Sequence, residues 1–163
     1  MAEFGLAAGV LQVITFGTEV SSTIIRCAQK FRNASTELEE VAGHVDMTVK
    51  SLRQVDALLN DPATKALHTQ KLYDDTKRVS DGCKEVFDEL DRYVKSVEFK
   101  SGSGKMSALS KGRWIFDSSK IQKLGQVLRR YSEVLHLLLS VMAIVEGRRA
   151  AFVFNHLLHR SKR

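Results

Sequence analysis

Proline is almost missing, with Pro62 the only one in 163 residues. Stretches of strict apolar–polar alternation are scarce too, so a sheet-based fold has little to be built from. There are two cysteines, Cys27 and Cys83. Two thiols exclude a disulfide framework and fit core filling in a reducing compartment. No uncharged run reaches the roughly 20 residues a membrane-crossing helix needs. The opening Met1-Ala2-Glu3-Phe4 lacks the basic start of a secretory signal. Acid is scarce at one end: residues 100–163 hold 3 Asp and Glu against 13 Lys and Arg, whereas residues 1–99 hold 16 against 12. The halves therefore carry +10 and −4 within an overall +6. Such asymmetry suggests an anionic partner for the basic part, or helices of opposite sign that neutralise each other in one bundle.

What is present is helical periodicity. From Ser119 to Val145, apolar residues fall at Ile121, Leu124, Leu128, Tyr131, Leu135, Leu138, Met142 and Val145, in steps of three and four. That spacing lines one stripe of a helix. Val127, Val134 and Val141 widen it, and Val134–Val145 is nearly apolar all round, so it must be surrounded by protein or lipid. It is expected to be the central staff of the fold, with Leu128, Tyr131, Leu135, Leu138 and Met142 in the core. Leu138→Ala should then cost roughly 2–5 kcal/mol.

Three further helices are expected. The first covers about Phe4–Phe31, with a stripe of Leu6, Val10, Val13, Gly17, Val20, Ile24, Cys27 and Phe31. The second runs from a capping box at Thr36 and Glu39 to Asn60, with Leu38, Val41, Val45, Thr48, Leu52, Val55 and Leu59 in register. The third starts at Pro62 with Asp61 as its cap and runs to about Glu98, pairing with the second as a hairpin. Its stripe is Leu72, Thr76, Val79, Cys83, Val86, Leu90, Tyr93 and Val97. Ser118 or Ser119 should cap the fourth helix, Gly147 should interrupt it, and Phe152–Leu158 should form a short terminal piece. The fold class is thus all-α, an antiparallel bundle of four main helices plus short ones. Residues 1–158 form the single domain, and 159–163 are a basic tail where more chain is expected to follow.

The front of the first helix has its own character. The 15 residues from Phe4 to Thr18 carry no charge and include Gly5, Gly9 and Gly17. Glycine lowers helix propensity by about 1 kcal/mol relative to alanine. Such a segment can be docked in one state and released in another. Docked, it is the buried first helix. Released, Phe4, Leu6, Val10, Leu11, Val13, Ile14 and Phe16 would meet a membrane, while Arg148, Arg149, Arg160, Lys162 and Arg163 hold anionic lipid head groups.

Signals for chemistry are weak. Gly102-Ser-Gly104-Lys105-Met106 lacks the first glycine and the final Ser or Thr of a phosphate loop. Glu133 and His136 match one half of a di-iron bundle motif, with no second half. His156 and His159 are two ligands at most. Aromatic residues do not interleave with the basic ones as in a single-strand binder. No catalytic constellation, metal or cofactor is expected, and no nucleic acid partner.

The start M-A-E-F-G-L-A-A-G-V-L-Q-V-I-T-F-G-T-E-V is similar to the opening of the fungal N-terminal helical domains carried by NACHT and other STAND-type receptors. The later K-G-R-W-I-F-D-S-S-K-I-Q-K-L-G-Q-V-L-R-R-Y also resembles their pattern, in which a Trp precedes Lys-Ile and a Leu-rich helix. Those domains are related to the HeLo-like cell-death effectors. The resemblance implies a cytoplasmic bundle whose N-terminal segment, Phe4–Thr18 here, is recruited to membranes. It implies a homo-oligomer on activation, triggered by an appended receptor or amyloid module, with Trp114, Ile121 and Leu124 structural. Phe152–Arg163 matches no amyloid motif, which leaves the trigger unassigned. The alternative is a homotypic assembly module with no membrane step.

Overall fold

A computed structural model describes the backbone of residues 2–30, 35–62, 64, 69–100 and 108–160, and side chains within 6–29, 36–62, 64, 69–96 and 119–147. Four helices account for nearly all of it: α1 (Ala2–Lys30), α2 (Ser35–Asn60), α3 (Gln70–Lys100) and α4 (Ala108–Arg160). The protein is an all-α bundle, with no strand among the described residues.

The stripes read from the sequence meet in one core. Val10, Val13, Ile14, Val20, Ile24 and Cys27 of α1 are buried against Leu38, Val41, Val45, Leu52 and Val55 of α2 and Cys83, Phe87, Leu90 and Val94 of α3. From α4 come Ile121, Leu124, Leu128 and Leu135. Phe87, the largest fully buried side chain, lies beside Val86 and off the expected lane of the third helix.

The helices do not pair as expected. α2 and α3 barely touch. Instead α1 packs on α2 and α3, and α4 packs on the same two. Going round the bundle the order is therefore α1, α2, α4, α3, with α2 and α3 on a diagonal. The four-residue link 31–34 makes α1 and α2 antiparallel neighbours. On the α2–α4 side, Val41 lies by Gly125 and Ser51 by Ser132, so these two helices run parallel. On the α3–α4 side, Gly82 lies by Tyr131 and Glu89 by Lys120, so that pair is antiparallel. It follows that α1 and α3 run parallel.

The expected hairpin fails because α3 starts later. Asp61 and Pro62 do not open a helix. Thr64 N–H bonds the Asp61 carbonyl at 3.2 Å, and Thr64 Oγ1 donates to the Leu58 carbonyl at 2.7 Å, which closes the end of α2 in a turn. The cap of α3 is Thr69, whose Oγ1 accepts from Leu72 N–H at 3.2 Å. A link from Asp61 to Thr69 is long enough to cross the end of the bundle, where a two-residue turn could only join neighbours.

The fourth helix is longer than expected at both ends. It begins at Ala108, not at Ser118 or Ser119, and passes through Gly147 without a break to Arg160, 53 residues in all. A glycine costs only about 1 kcal/mol in a helix interior. Neighbours such as Ala150 and Ala151 are the best helix formers. No separate terminal helix forms.

Candidate interaction surface

The position of α4 is set by a polar seam with α2. Thr48 Oγ1 donates to the His44 carbonyl at 2.8 Å, with the Leu128 carbonyl 3.4 Å away. Ser51 Oγ donates to the Met47 carbonyl at 3.0 Å, which leaves its oxygen to accept from Ser132 Oγ, 3.3 Å away. His136 Nε2 also lies 3.3 Å from Ser51 Oγ. Thr48, Ser51 and Ser132 are buried. Unpaired buried hydroxyls are costly, so these contacts favour one rotation of α4 about its axis.

That rotation decides which apolar residues face out. At about 100° per residue, Val134, Leu137, Val141, Ile144 and Val145 fall on the side of the helix opposite Ser132. Leu137 is 66% exposed, Val141 and Ile144 are 56%, and Val134 and Val145 are 40%. The expectation that Val134–Val145 is enclosed by the bundle is thus corrected. Its inner side is covered and its outer side is not. Leu128 and Leu135 are fully buried and Met142 is nearly so. Tyr131 is half-buried and packs on the core. Leu138 is only half-buried and stands outside the core, with Leu139 packing there in its place. The reason is angular: Leu138 lies between the inward and outward sides.

Beyond Met142 the helix leaves the bundle. The α2–α4 and α3–α4 registers put both Asn60, the end of α2, and Gln70, the start of α3, level with Met142. Ala143 to Gly147 are all exposed. The remaining 18 residues of α4 span about 27 Å at 1.5 Å per residue.

The candidate membrane residues are divided by α1. Val10, Val13 and Ile14 are buried in the core, Leu6 and Phe16 pack on it half-buried, and Leu11 is 56% exposed. The Phe4 side chain lies outside the described residues. Leu6–Gln29 is long and apolar enough to cross a membrane by length and composition, yet its inward side forms the bundle core. Along the outer side of α1 runs a shallow groove lined by Leu11, Phe16, Glu19, Arg53, Asp91 and Lys95. It carries both signs of charge, and Arg53 is already engaged, donating to Thr18 Oγ1 at 3.3 Å.

The candidate lipid-binding residues Arg148, Arg149, Arg160, Lys162 and Arg163 lie outside the described side chains. Lys120 of α4 pairs with Glu89 of α3 at 2.8 Å. Lys71–Asp75, Lys77–Asp81, Lys95–Asp91 and Arg129–Glu133 each run along one helix at a four-residue spacing, so they contribute little to holding helices together.

No group of three or more His, Cys, Asp or Glu that could hold a metal occurs among the described residues. Glu133 bonds Arg129 and His136 meets Ser51, so these two side chains are engaged separately. Burial pushes the Cys83 thiol up to about 12, far from the thiolate a nucleophile needs. No protein family profile matches the chain, and neither a curated protein nor a solved structure matches it.

Proposed function

We propose that this domain is a signalling module that works by assembly, joining helical partners through the outward side of α4. One observation carries this: five large apolar residues stand exposed on one stripe of a helix that continues past its own bundle. Contiguous exposed apolar surface of this kind marks interaction sites. The resemblance to the N-terminal domains of NACHT-type receptors supports the same class, with a receptor or amyloid module as the appended trigger. Light scattering of the purified chain over a concentration series tests it. A mass that rises above one chain is expected. A single-chain mass throughout, with no capture of a helical partner through α4, removes the assembly role.

A second reading keeps the membrane step of a HeLo-like effector. It is favoured by the length and apolarity of Leu6–Gln29. Release would have to expose Val10, Val13 and Ile14, each worth about 1.5–3 kcal/mol of burial, so a trigger must supply that free energy. Leakage from anionic vesicles by the oligomerised domain tests it, and intact vesicles at saturating protein would exclude it.

A further inference from the structure

We infer that the outward stripe of α4 is one strand of a parallel two-stranded coiled coil, and that the other strand is a second copy of this chain. The inference rests on the assembly role above and supplies its partner. Counting in sevens from Val134 puts Val134 and Val141 at the first seam position and Leu137 and Ile144 at the fourth. Valine at the first position with leucine at the fourth, the pairing that Val134 and Leu137 make, favours two parallel strands, and Ile144 at the other fourth position does not by itself choose the strand number. All four are exposed in the lone chain. Upstream, Arg130 stands one heptad before Leu137 and is exposed, so the seam closes there and the two bundles can diverge.

Downstream, the sevenfold count continues along helical backbone to Arg148, Ala151, Asn155 and Leu158. A polar residue at a first position lowers stability but fixes register and strand number, and Asn155 falls at one. Such an asparagine meets its own counterpart only when the strands run parallel and in register. An antiparallel pair centred on the stripe would set Asn155 against Lys123 instead. The extension gives a second reason for a like partner. About 27 Å of helix runs past the level of Met142, where α2 ends and α3 starts, and helices in proteins owe most of their stability to packing rather than to propensity. A parallel pair covers the stripe and the extension with one continuous contact, leaving both bundles at the same end.

The test is cross-linking of the whole chain. Cys27 and Cys83 are buried, so Leu137→Cys adds a single accessible thiol. Under mild oxidation it should link to its own counterpart and double the mass on a non-reducing gel. Leu137→Glu, at a position 66% exposed, should halve the solution mass while the chain keeps a cooperative thermal transition, now with a midpoint that no longer depends on protein concentration. Three outcomes would overturn the coil while leaving an assembly role standing. In one, Leu137→Cys fails to link to itself yet links to Val141→Cys in a mixture, which shows antiparallel strands. In another, the mass is that of three or four chains. In the third, Leu137→Glu leaves the mass at two chains. A single-chain mass at every concentration, with no cross-link and no partner captured, would overturn the assembly role as well.

Discussion

A single methyl group measures how closely α1 lies on its neighbours. A Cβ at Gly17 would sit 2.6 Å from both Phe87 Cε2 and Val49 Cγ2. Phe87 is fully buried and cannot swing away. Gly17→Ala should therefore cost about 1–3 kcal/mol by overpacking, outweighing the roughly 1 kcal/mol of helix propensity that alanine adds. A Cβ at Gly82 would meet Tyr131 Oη at 2.5 Å. That atom is the far end of a half-buried ring, which can tilt outward, so Gly82→Ala should cost less than Gly17→Ala in the same urea titration. Gly17 was legible as a stripe position. Phe87 was not, because counting in threes and fours from Val86 follows one lane and misses the wider face that meets Gly17. Cys83 gives a prediction in pH. Burial disfavours its thiolate and raises its pKa from 9.0 to about 12. The folded state thus holds the proton more tightly than the unfolded chain does. Its contribution to stability is full below about pH 9 and is lost as the pH rises toward 12. Alkylation of Cys83 at pH 8 should follow the rate of opening, and a rate matching that of a free thiol would place Cys83 at the surface.

At the scale of the element, the helix stripes were legible and the helix ends were not. Apolar spacing is set by what a helix buries: α2 buries the residues its spacing marks, and α1 buries those from Val10 to Cys27, with Leu6 half-buried and Phe31 outside the described residues. Ends depend on single hydrogen bonds. Asp61-Pro62 is a good helix start by residue type, but Thr64 bonds back to Leu58 and the start moves to Thr69. α4 shows a different limit. Where a helix is apolar on every side, spacing cannot say which side faces in. The seam from Ser51 to Ser132 does that, and a sequence alone does not pair those two hydroxyls. The consequence is measurable in two leucines of the same helix. Leu128→Ala removes a fully buried side chain and should cost about 2–5 kcal/mol. Leu138→Ala removes a half-buried one outside the core. It should cost clearly less, which lowers the value that spacing alone suggested. Equal losses for the two in chemical unfolding would return Leu138 to the core.

At the scale of the whole molecule, the order α1, α2, α4, α3 gives α1 two main neighbours and sets it diagonally across from α4, which it barely touches. That order is not written in any one stretch of sequence, because it depends on which faces of all four helices meet. It changes how the membrane question is put. Val10 is fully buried, so Val10→Glu places a carboxylate in the core and should unfold the domain. Loss of any activity in that variant would say nothing about membranes. Leu11 is the informative neighbour, 56% exposed on the other side of the same helix. Leu11→Glu should leave the thermal midpoint within about 2 °C, since a surface change is usually within ±0.5 kcal/mol. If α1 stays docked, amide exchange at Val10 should be as slow as at Leu128, with or without anionic vesicles, and Leu11→Glu should change nothing else. If α1 is released, vesicles should speed or reshape exchange across Leu6–Gln29 while Leu128 stays protected, and Leu11→Glu should suppress that change. Global opening is distinguishable from release, because it would expose Val10 and Leu128 together.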